Sequence, residues 1–314
     1  MSILTVTLHP AIDKVLRVQR LRPNEVSRCT IEMTHGGGKG NNVARALTRI
    51  QIPVIATGFQ GGYSGAFITE HIEAEGIRTS FVECSEPTRT STILQVEETG
   101  DTYPLYEPGQ SVTVDEIERL CQHYRGLLRE ASLVIYCGSG QTDLLAPVFA
   151  RMIEMAKQVD IPTLLDSSGD ALRQGIEAKP YMVKVNRNEL GGYFQRSLDT
   201  LDQQFAAMLE LQQSGIPIVA LSHGEDGLIA TDGFEIWEGA LKVDTIVNVV
   251  GCGDSQLAGI AKQVVEGAPL KEIVRWGVAC GTANTQVRGA GRIDLETVQG
   301  MLPQVRLEEL PIGD

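Results

Sequence analysis

The stretch that decides the fold is NVVGCGDSQLAG, residues 248–259. An apolar, strand-like edge leads into it and a helical pattern leads out of it. Gly251 and Gly253 let consecutive backbone amides converge at the start of the helix, an arrangement that binds anions. Helix capping by Asp254 is the plain alternative, but capping alone does not require glycine on both sides of Cys252. The stretch therefore predicts an anion-binding turn between a strand and a helix.

A second glycine-rich stretch, THGGGKGNNVAR, occupies residues 34–45. Its glycines would let the backbone approach a ligand closely, and Lys39 adds a flexible cation. Asn42 begins a helix whose N-terminus favours anions. A flexible turn that happens to carry a lysine is the alternative interpretation. The glycines concerned are Gly36, Gly37, Gly38 and Gly40.

Neither stretch matches a common nucleotide-binding motif. The P-loop pattern GxxxxGK[ST] is absent from residues 34–45. In residues 248–259 the GxG of a dinucleotide fingerprint is present, but its third glycine does not follow three residues later. A Rossmann oxidoreductase is therefore the less favoured class of enzyme.

Two further segments place polar residues directly after apolar strands. KVNRNEL, residues 184–190, completes the strand YMVKV, and SHGEDGLIA, residues 222–230, follows the strand PIVAL. Open α/β sheets bind their ligands at the carboxyl ends of the strands. Either segment alone would be an ordinary turn, whereas several such segments in one chain indicate a site.

The rest of the chain alternates between strand-like and helical patterns, which predicts a parallel sheet with helices on both faces. Residues 11–35 and 86–108 interrupt this alternation with β-like segments, the second of which contains a hairpin around the turn EETG. We expect them to form one small sheet, a lid over the carboxyl ends of the main strands. The predicted strands are residues 3–8, 53–58, 133–138, 162–166, 181–185 and 217–221, and the predicted helices are 42–50, 65–75, 117–128, 144–153, 254–266, 270–286 and 295–302.

Length and composition place the chain among globular proteins. Its 314 residues correspond to about two domain-lengths or one large α/β unit, with 42% apolar and 21% charged residues. No run approaches the roughly 20 apolar residues of a membrane helix. The N-terminus, MSILTVTLHP, has no basic region before its apolar run, so it is not expected to be a signal peptide. We expect a cytoplasmic protein.

Charge and cysteine content narrow the possible partners. Lys and Arg number 27 against 40 Asp and Glu, a net charge of -13, which argues against general nucleic-acid binding. Local donors can still reverse the field inside a cleft and hold a small anion. The six cysteines form no CxxC pair, which argues against a disulfide framework or a zinc site. We interpret all except Cys252 as small buried apolar residues.

Taken in order and spacing, GGKGNNVAR, KVNRNEL, SHGEDG and NVVGCGDS resemble the ribokinase-like sugar kinases. The nearest branch is phosphofructokinase B, which includes 1-phosphofructokinase and tagatose-6-phosphate kinase. LTVTLHPAID at residues 4–13 and PTRTSTI at residues 87–93 are similar to the same branch. The resemblance covers nearly the whole chain. It implies a ribokinase-like three-layer α/β/α sandwich with a small β-sheet lid, the main domain comprising residues 1–11, 34–85 and 109–314 and the lid residues 12–33 and 86–108.

The resemblance implies an ATP-dependent kinase that phosphorylates a ketose phosphate, fructose 1-phosphate or tagatose 6-phosphate, to the bisphosphate. ATP and Mg²⁺ are the implied cofactors, and a homodimer formed through the lid is the implied assembly, without nucleic acid or membrane. A kinase of an unphosphorylated sugar or nucleoside remains an alternative, as does a non-catalytic sugar-phosphate sensor. The cations Lys39 and Arg89 favour a phosphorylated substrate, and an intact Asp254 favours an enzyme.

The resemblance also implies roles for individual residues. Asp254 would take the proton from the accepting hydroxyl, and the helix N-terminus is expected to keep it ionised. Amides of Gly251, Cys252, Gly253 and Asp254 itself would form the anion hole. The implied substrate-binding residues are Asp13, Gly37, Gly38, Lys39, Asn42, Arg89 and Ser139. The implied nucleotide-binding residues are Lys184, Asn186, Ser222, Gly224, Gly227 and Asn284, and Asn186 and Glu189 would organise Mg²⁺ through waters.

Three positions and one loop depart from the pattern of that branch. His9 stands where the branch usually has Asn, Cys252 where it has Ala, and Val185 where it has Pro. The loop GSGQTD, residues 138–143, replaces GSLPxG near the sugar phosphate. These departures leave the identity of the sugar open more than the reaction.

Overall fold

The computed structural model describes residues 1–140 and 142–311, and a ten-stranded sheet forms its centre. The strands of the protein are β1 (Ser2–Thr7), β2 (Ala11–Val18), β3 (Cys29–Gly37), β4 (Val54–Gln60), β5 (Arg78–Glu83), β6 (Arg89–Val96), β7 (Thr102–Tyr106), β8 (Ala131–Cys137), β9 (Thr163–Asp166), β10 (Met182–Asn186), β11 (Ile218–Ser222), β12 (Leu228–Thr231), β13 (Ile236–Ala240) and β14 (Arg306–Leu310).

Ten α-helices accompany these strands in the described residues. They are α1 (Lys39–Arg49), α2 (Gly62–Ala74), α3 (Val114–Leu127), α4 (Val148–Lys157), α5 (Gly169–Glu177), α6 (Arg187–Phe194), α7 (Leu201–Gln213), α8 (Cys252–Val265), α9 (Leu270–Thr285) and α10 (Leu295–Met301). None of the helices in this part of the chain is long and apolar enough to cross a membrane.

The central sheet runs in the order β14-β13-β12-β11-β10-β9-β8-β1-β4-β5. All pairs from β11 to β5 are parallel, and β12, β13 and β14 extend the sheet by antiparallel pairing. Parallel strands require crossover connections, so their carboxyl ends all lie at one edge. That edge is where the polar segments of the sequence come together.

Helices cover both faces of the central sheet. Successive strand residues point to opposite faces, so in β1 Leu4 and Val6 join one buried cluster and Ile3 joins the other. The first cluster packs beneath α3 to α7, and the second beneath α1, α2, α8, α9 and α10. The predicted three-layer α/β/α class is therefore confirmed.

A small sheet of four strands, in the order β3-β2-β6-β7, contains both segments that lack helical patterning. β2 pairs antiparallel with β3 and parallel with β6, and β6 and β7 form the predicted hairpin. β3 continues to Gly37, beyond the expected boundary at residue 33, so the small sheet leads directly into the first glycine-rich turn. β2 carries Asp13 and β6 begins at Arg89.

The cysteines are all free thiols. Cys84, Cys121, Cys137 and Cys280 are buried as expected. Cys29 is exposed in β3, so its interpretation as a buried apolar residue is wrong. The outer strands of a small sheet have one face open to solvent, which explains its exposure.

Candidate functional site

The two glycine-rich turns meet at the carboxyl edge of the central sheet. Asn42 Nδ2 donates a hydrogen bond of 2.9 Å to Asp254 Oδ2, which joins the first turn of α1 to the first turn of α8. Both side chains are buried, with Asp254 8% exposed. Two residues separated by 212 positions in the sequence thus form one contact at the centre of the predicted site.

The turn before α8 requires glycine for two reasons. Gly251 has a φ of 84°, in the left-handed region, and a Cβ there would lie 2.3 Å from the Cβ of Ala290. The first helical hydrogen bond of α8 is donated by Ser255 N to Gly251 O at 2.9 Å. The preceding N–H groups, of Cys252, Gly253 and Asp254, have no intrahelical acceptor and mark the predicted anion site.

Burial changes the expected charge state of Asp254. Burial raises the pKa of this carboxyl, while Lys39, the hydrogen bond from Asn42 and Lys184 oppose that rise. We expected the helix N-terminus to hold the pKa down, and the direction is the opposite, because desolvation outweighs the nearby cations. Asp254 therefore depends on its neighbours to stay ionised.

Asp166 is a site residue that the sequence reasoning missed. This buried carboxylate accepts hydrogen bonds from Lys184 Nζ at 2.8 Å and from Lys39 Nζ at 3.1 Å. Burial alone would raise the pKa of Asp166, but the two lysines lower it to about 2. Asp166 ends the strand PTLLD just as Lys184 follows in YMVKV, so the strand-end signal could have identified it.

Asp166 brings the two predicted lysines to one place. Its negative charge raises the pKa of Lys39 well above the usual range. Lys184 Nζ lies 3.6 Å from where a Cβ of Gly253 would stand, so its ammonium reaches the turn before α8. Lys39 and Lys184 therefore hold two positive charges beside Asp254 and the anion-binding turn.

On the other side of Asp254, the small sheet contributes Asp13 and Arg89. A Cβ on Gly37 would lie 1.9 Å from Asp13 Oδ2, so the glycine leaves the space that this carboxylate occupies. Burial raises the pKa of Asp13 to about 6, with Arg45 and Arg89 opposing the rise and Asp254 adding to it. Arg89 Nη1 donates to Glu107 O at 3.2 Å.

His9, the departure from the usual Asn, is buried next to this group. Burial and the charge of Arg89 lower the pKa of His9 to about 4, while a hydrogen bond with Gln110 opposes the shift. His9 is therefore neutral at pH 7. A Cβ on Gly109 would lie 2.4 Å from His9 Nδ1, so the backbone at Gly109 approaches the ring closely.

The loop GSGQTD begins at the same edge of the sheet. Gly138 has a φ of 96°, donates its N–H to Asp166 O at 3.1 Å and accepts a hydrogen bond from Ser167 Oγ at 2.7 Å. Ser139 follows, half-buried, after the carboxyl end of β8. Gln141 of this loop lies outside the described residues.

A cleft of about 470 Å³ opens on the far side of the turn before α8. Gly227, with a φ of 103°, closes one wall, where a Cβ would lie 2.0 Å from Gly239 O. Apolar walls and a few polar groups suit a nucleotide base and ribose. The cleft is lined by Ser222, Gly224, Glu225, Asp226, Gly227, Leu241, Lys242, Val243, Ile246, Val249, Cys252, Gly253, Gln256, Val278, Gly281, Thr282 and Thr285.

Asn284, expected beside the nucleotide, does not line this cleft. Its side chain is fully buried, and its Nδ2 donates to Val250 O at 2.9 Å. Its Oδ1 accepts hydrogen bonds from Ser255 Oγ at 3.0 Å and Gly291 N at 2.9 Å. These bonds use both ends of the amide to hold the turn before α8, so the geometry gives the predicted nucleotide contact no support.

Asn186 and Glu189 form a reciprocal cap at the start of α6. Asn186 Oδ1 accepts from Glu189 N at 3.0 Å, and Glu189 Oε2 accepts from Asn186 N at 2.8 Å. No group of three His, Cys, Asp or Glu side chains that could hold a metal occurs in residues 1–140 and 142–311. One carboxylate and one amide do fit Mg²⁺, which keeps several waters and binds substrate phosphates.

Comparison with known proteins identifies relatives over nearly the full length. The pfkB family of carbohydrate kinases matches residues 6–297. A 1-phosphofructokinase of Bacillus subtilis (strain 168) is 30% identical over 308 residues, covering 98% of this chain and 100% of the relative.

Solved structures give the same picture. Phosphofructokinase-2 from Escherichia coli, in its tetrameric inhibited form, is 27% identical with a TM-score of 0.89, covering 96% of this chain and 98% of that one. The same enzyme in complex with fructose-6-phosphate matches with a TM-score of 0.87, at 27% identity over 96% of this chain and 98% of that one. A possible 1-phosphofructokinase from Thermotoga maritima shares the fold, at 23% identity and a TM-score of 0.87 over 99% of this chain and 100% of that one.

Proposed function

This chain belongs to the pfkB family of carbohydrate kinases, as the resemblance predicted, and from that premise we propose that it is an ATP-dependent kinase of a ketose phosphate. The observation that carries the proposal is the position of Asp254. It lies at an anion-binding turn, between a cleft suited to a nucleotide and a group of polar side chains on the small sheet. A phosphoryl group can pass across this turn from one side to the other.

Asp254 acts as the base in this reaction. The hydroxyl oxygen of the sugar attacks the γ-phosphorus of ATP, the bond to ADP breaks, and the hydroxyl proton passes to the Asp254 carboxylate. Phosphoryl transfer depends mainly on positioning and charge stabilisation, so a carboxylate is a sufficient base. The hydrogen bond from Asn42 fixes that carboxylate at 2.9 Å from the amide nitrogen.

The transferring phosphoryl group meets a positive environment. The first N–H groups of α8 (Cys252–Val265) face it, and Lys39 and Lys184 stand beside it, held by Asp166. Asn186 and Glu189 would hold Mg²⁺ through waters. Mg²⁺ neutralises charge on the phosphates when it is bound.

The sugar-binding side favours a phosphorylated substrate. Asp13 would accept hydrogen bonds from sugar hydroxyls. Arg89, close enough to lower the pKa values of His9 and Asp13, would bind the existing phosphate. A neutral sugar or nucleoside requires no such arginine. Between the two candidate substrates we propose fructose 1-phosphate, because the curated relative at 30% identity is a 1-phosphofructokinase.

We also propose that two copies of the chain form a homodimer through the small sheet, and that the enzyme is cytoplasmic. Ile31, Leu105 and Tyr106 expose apolar surface on that sheet, which a second copy would cover. Six free thiols suit a reducing compartment.

A substrate panel tests the proposed function. Fructose 1-phosphate, tagatose 6-phosphate, fructose 6-phosphate, free fructose and free ribose are each supplied with Mg·ATP, and ADP formation is measured. We expect the highest kcat/KM with fructose 1-phosphate. Turnover of free sugars alone would overturn the substrate class, and a chain that binds sugar phosphate without consuming ATP would be a sensor.

A further inference from the structure

Arg45 is a buried cation that the proposed reaction does not use. It lies in α1 and is 1% exposed. Among the residues that the structure describes, it is the largest fully buried side chain. An arginine stays protonated in a protein, so a buried guanidinium must find acceptors to offset its desolvation. In the sequence, Arg45 ends the first glycine-rich stretch, three residues after Asn42.

The acceptors of Arg45 come from four separate segments. Its Nη2 donates to Gly36 O at 2.6 Å, at the start of the first glycine-rich turn. Its Nη1 donates to Asn42 Oδ1 at 3.0 Å and to Ala290 O at 3.3 Å, and its Nε donates to the Glu75 carboxylate. Ala290 is the residue against which Gly251 packs, so Arg45 connects both glycine-rich turns.

The chemistry of the guanidinium determines how the Asn42 amide is turned. Arginine has donors and no acceptor, so the Asn42 atom that faces Arg45 must be the carbonyl oxygen. The amide NH₂ then faces Asp254, at 2.9 Å from Oδ2. If the amide turned around, its oxygen would face the carboxylate, and two acceptors would repel each other.

We propose that Arg45 is a positioning residue for phosphoryl transfer, which orients Asn42 so that its amide donates to Asp254 and supports the ionised base. The proposal rests on the proposed function, in which Asp254 is that base. The groups that interact with Asp254 are Asn42 and Lys39 from α1, Asp166 from β9, Lys184 from β10, Asp13 from β2, and the thiols of Cys137 from β8 and Cys252 from α8.

Among these groups, within the described part of the chain, Asn42 is the one to which Arg45 donates a hydrogen bond. Arg45 also acts on Asp13 through its charge. A lysine at position 45 keeps that charge but loses the fork of donors.

Three variants test the assignment: Arg45→Met, Arg45→Lys and the control Arg292→Met. Arg292 donates to the same Glu75 carboxylate at 3.0 Å, so its removal takes an ion pair from that carboxylate, at a more exposed position, without touching Asn42. The measurements are kcat and KM with Mg·ATP and the sugar phosphate that the unmodified enzyme uses, across pH 5 to 9, with circular dichroism and thermal melting as folding checks.

For Arg45→Met we expect kcat to fall about tenfold to a hundredfold, the usual effect of losing a hydrogen bond to a charged group. The acidic limb of the kcat profile should move up by about one pH unit, because a carboxyl that loses a donor is harder to ionise. Arg45→Lys should show a smaller shift in the same direction. Arg292→Met should keep both kcat and the position of the limb.

A folded Arg45→Met variant with a lower kcat and an unmoved acidic limb would overturn the assignment, since Arg45 would then be merely structural. If Arg45→Met does not fold, Asn42→Leu, which leaves Arg45 with Glu75, must show the same upward shift, and an unmoved limb again overturns it.

The titration of the Asp254 carboxyl by carbon-13 NMR, assigned with Asp254→Asn, separates this inference from the proposed function. An upward shift in Arg45→Met supports the positioning role even if the unmodified chain phosphorylates no sugar, which would overturn the function alone. An unchanged titration overturns the positioning role even in an active kinase.

Discussion

Charged side chains are paired differently at the edge of the central sheet and on the small sheet. At the central edge both carboxylate oxygens of Asp166 are bonded to lysines, at 2.8 and 3.1 Å, and the side chain is 6% exposed. On the small sheet Asp13 is 31% exposed, and its Oδ2 lies 3.8 Å from Nε2 of His35. Burial lowers the pKa of that histidine to about 3, so it offers no charge at pH 7.

Arg89 continues the contrast. Its Nη1 donates to one backbone carbonyl, and its buried Nε has no hydrogen-bond partner among the residues that the structure describes. The ion pairs of Asp166 are thus complete before any ligand binds, whereas Arg89 on the small sheet retains an unsatisfied donor. From this difference we propose that the chemistry is preorganised at the edge of the central sheet and that the ligand completes the recognition of the sugar.

The largest expected effect concerns Asp254, at the edge of the central sheet. Asp254→Asn should reduce kcat by about 10²- to 10⁴-fold, the usual loss for a general base, while ATP affinity changes little. The variant should fold, because the new amide oxygen can still accept from Asn42. Calorimetric ATP binding and thermal melting are the controls. Retention of more than half of the turnover would remove Asp254 from its role.

A matched pair of variants sharpens the comparison between the two regions. Arg89→Ala should raise the KM for the sugar phosphate about tenfold to a hundredfold and leave the KM for ATP nearly unchanged, since each charge-assisted contact with phosphate has that effect. Lys184→Ala should raise the KM for ATP and leave the KM for the sugar phosphate nearly unchanged. Steady-state kinetics with each substrate varied gives both values, and an increase in the ATP KM alone for Arg89→Ala would assign this arginine to the nucleotide.

The effect of Lys39→Ala on the two KM values should be intermediate between those of Arg89→Ala and Lys184→Ala. The family resemblance implies that Lys39 binds the sugar substrate, but Lys39 is ion-paired with Asp166, which also holds Lys184. Its loss should therefore raise both KM values, each by about tenfold. A change confined to the sugar KM would show that the ion pair with Asp166 is broken when substrate binds.

Asp13 provides a smaller, pH-dependent effect. Its pKa, raised by burial to about 6, means that the carboxyl becomes protonated as the pH falls through 6. If the ionised form binds the sugar, the KM at pH 5 should be about tenfold that at pH 7. The substrate phosphate titrates in the same range, so Asp13→Asn is the reference. Equal pH dependence in the two proteins would contradict a role for the ionised carboxylate.

The sequence predicted where the candidate site lies on the central sheet better than it predicted the ion pairs and hydrogen bonds within that site. Strand-end polarity identified Lys184, which lies near the carboxyl end of β10 in the parallel part of the sheet. The strand expected to lead into the turn at Gly251 does not form, since β13 ends at Ala240 and residues 241–250 contain no strand. Asp166 carries the same strand-end signal at the end of PTLLD, but that signal alone does not reveal its ion pairs. The ion pairs of Asp166 and the hydrogen bonds of Asn284 depend on residues far apart in the chain, and no local pattern encodes them.

Other misses have local physical reasons. The predicted helix over residues 144–153 begins at Val148 instead, because turns occupy the residues before it and Pro147 precedes its first position. The antiparallel strands β12 to β14 were not assigned, since β14 follows α10 and pairs with β13 across a long interval of sequence. The pKa of Asp254 could not be predicted either, because burial is a property of the assembled fold.

The smallest expected effect concerns motion of the small sheet. β7 is exposed along its whole length and β2 is only partly buried, so hydrogen bonds in this sheet should open more readily than those of the core. We expect amide hydrogen exchange in residues 12–33 and 88–106 to slow when sugar phosphate and a non-hydrolysable ATP analogue bind together. Closure would exclude water, which competes with the sugar hydroxyl for the phosphoryl group.

β8 (Ala131–Cys137), buried between both layers of helices, is the internal control and should change little. The Arg89→Ala variant completes the design, because closure that depends on the substrate phosphate should be weaker in it. Each ligand is also added alone, so that slowing by the nucleotide alone can be distinguished from closure over the sugar. Exchange in the two segments that is indifferent to both ligands would mean that the small sheet is fixed. Arg89 would then have to reach the substrate from its present position, with Nη1 still bonded to Glu107 O.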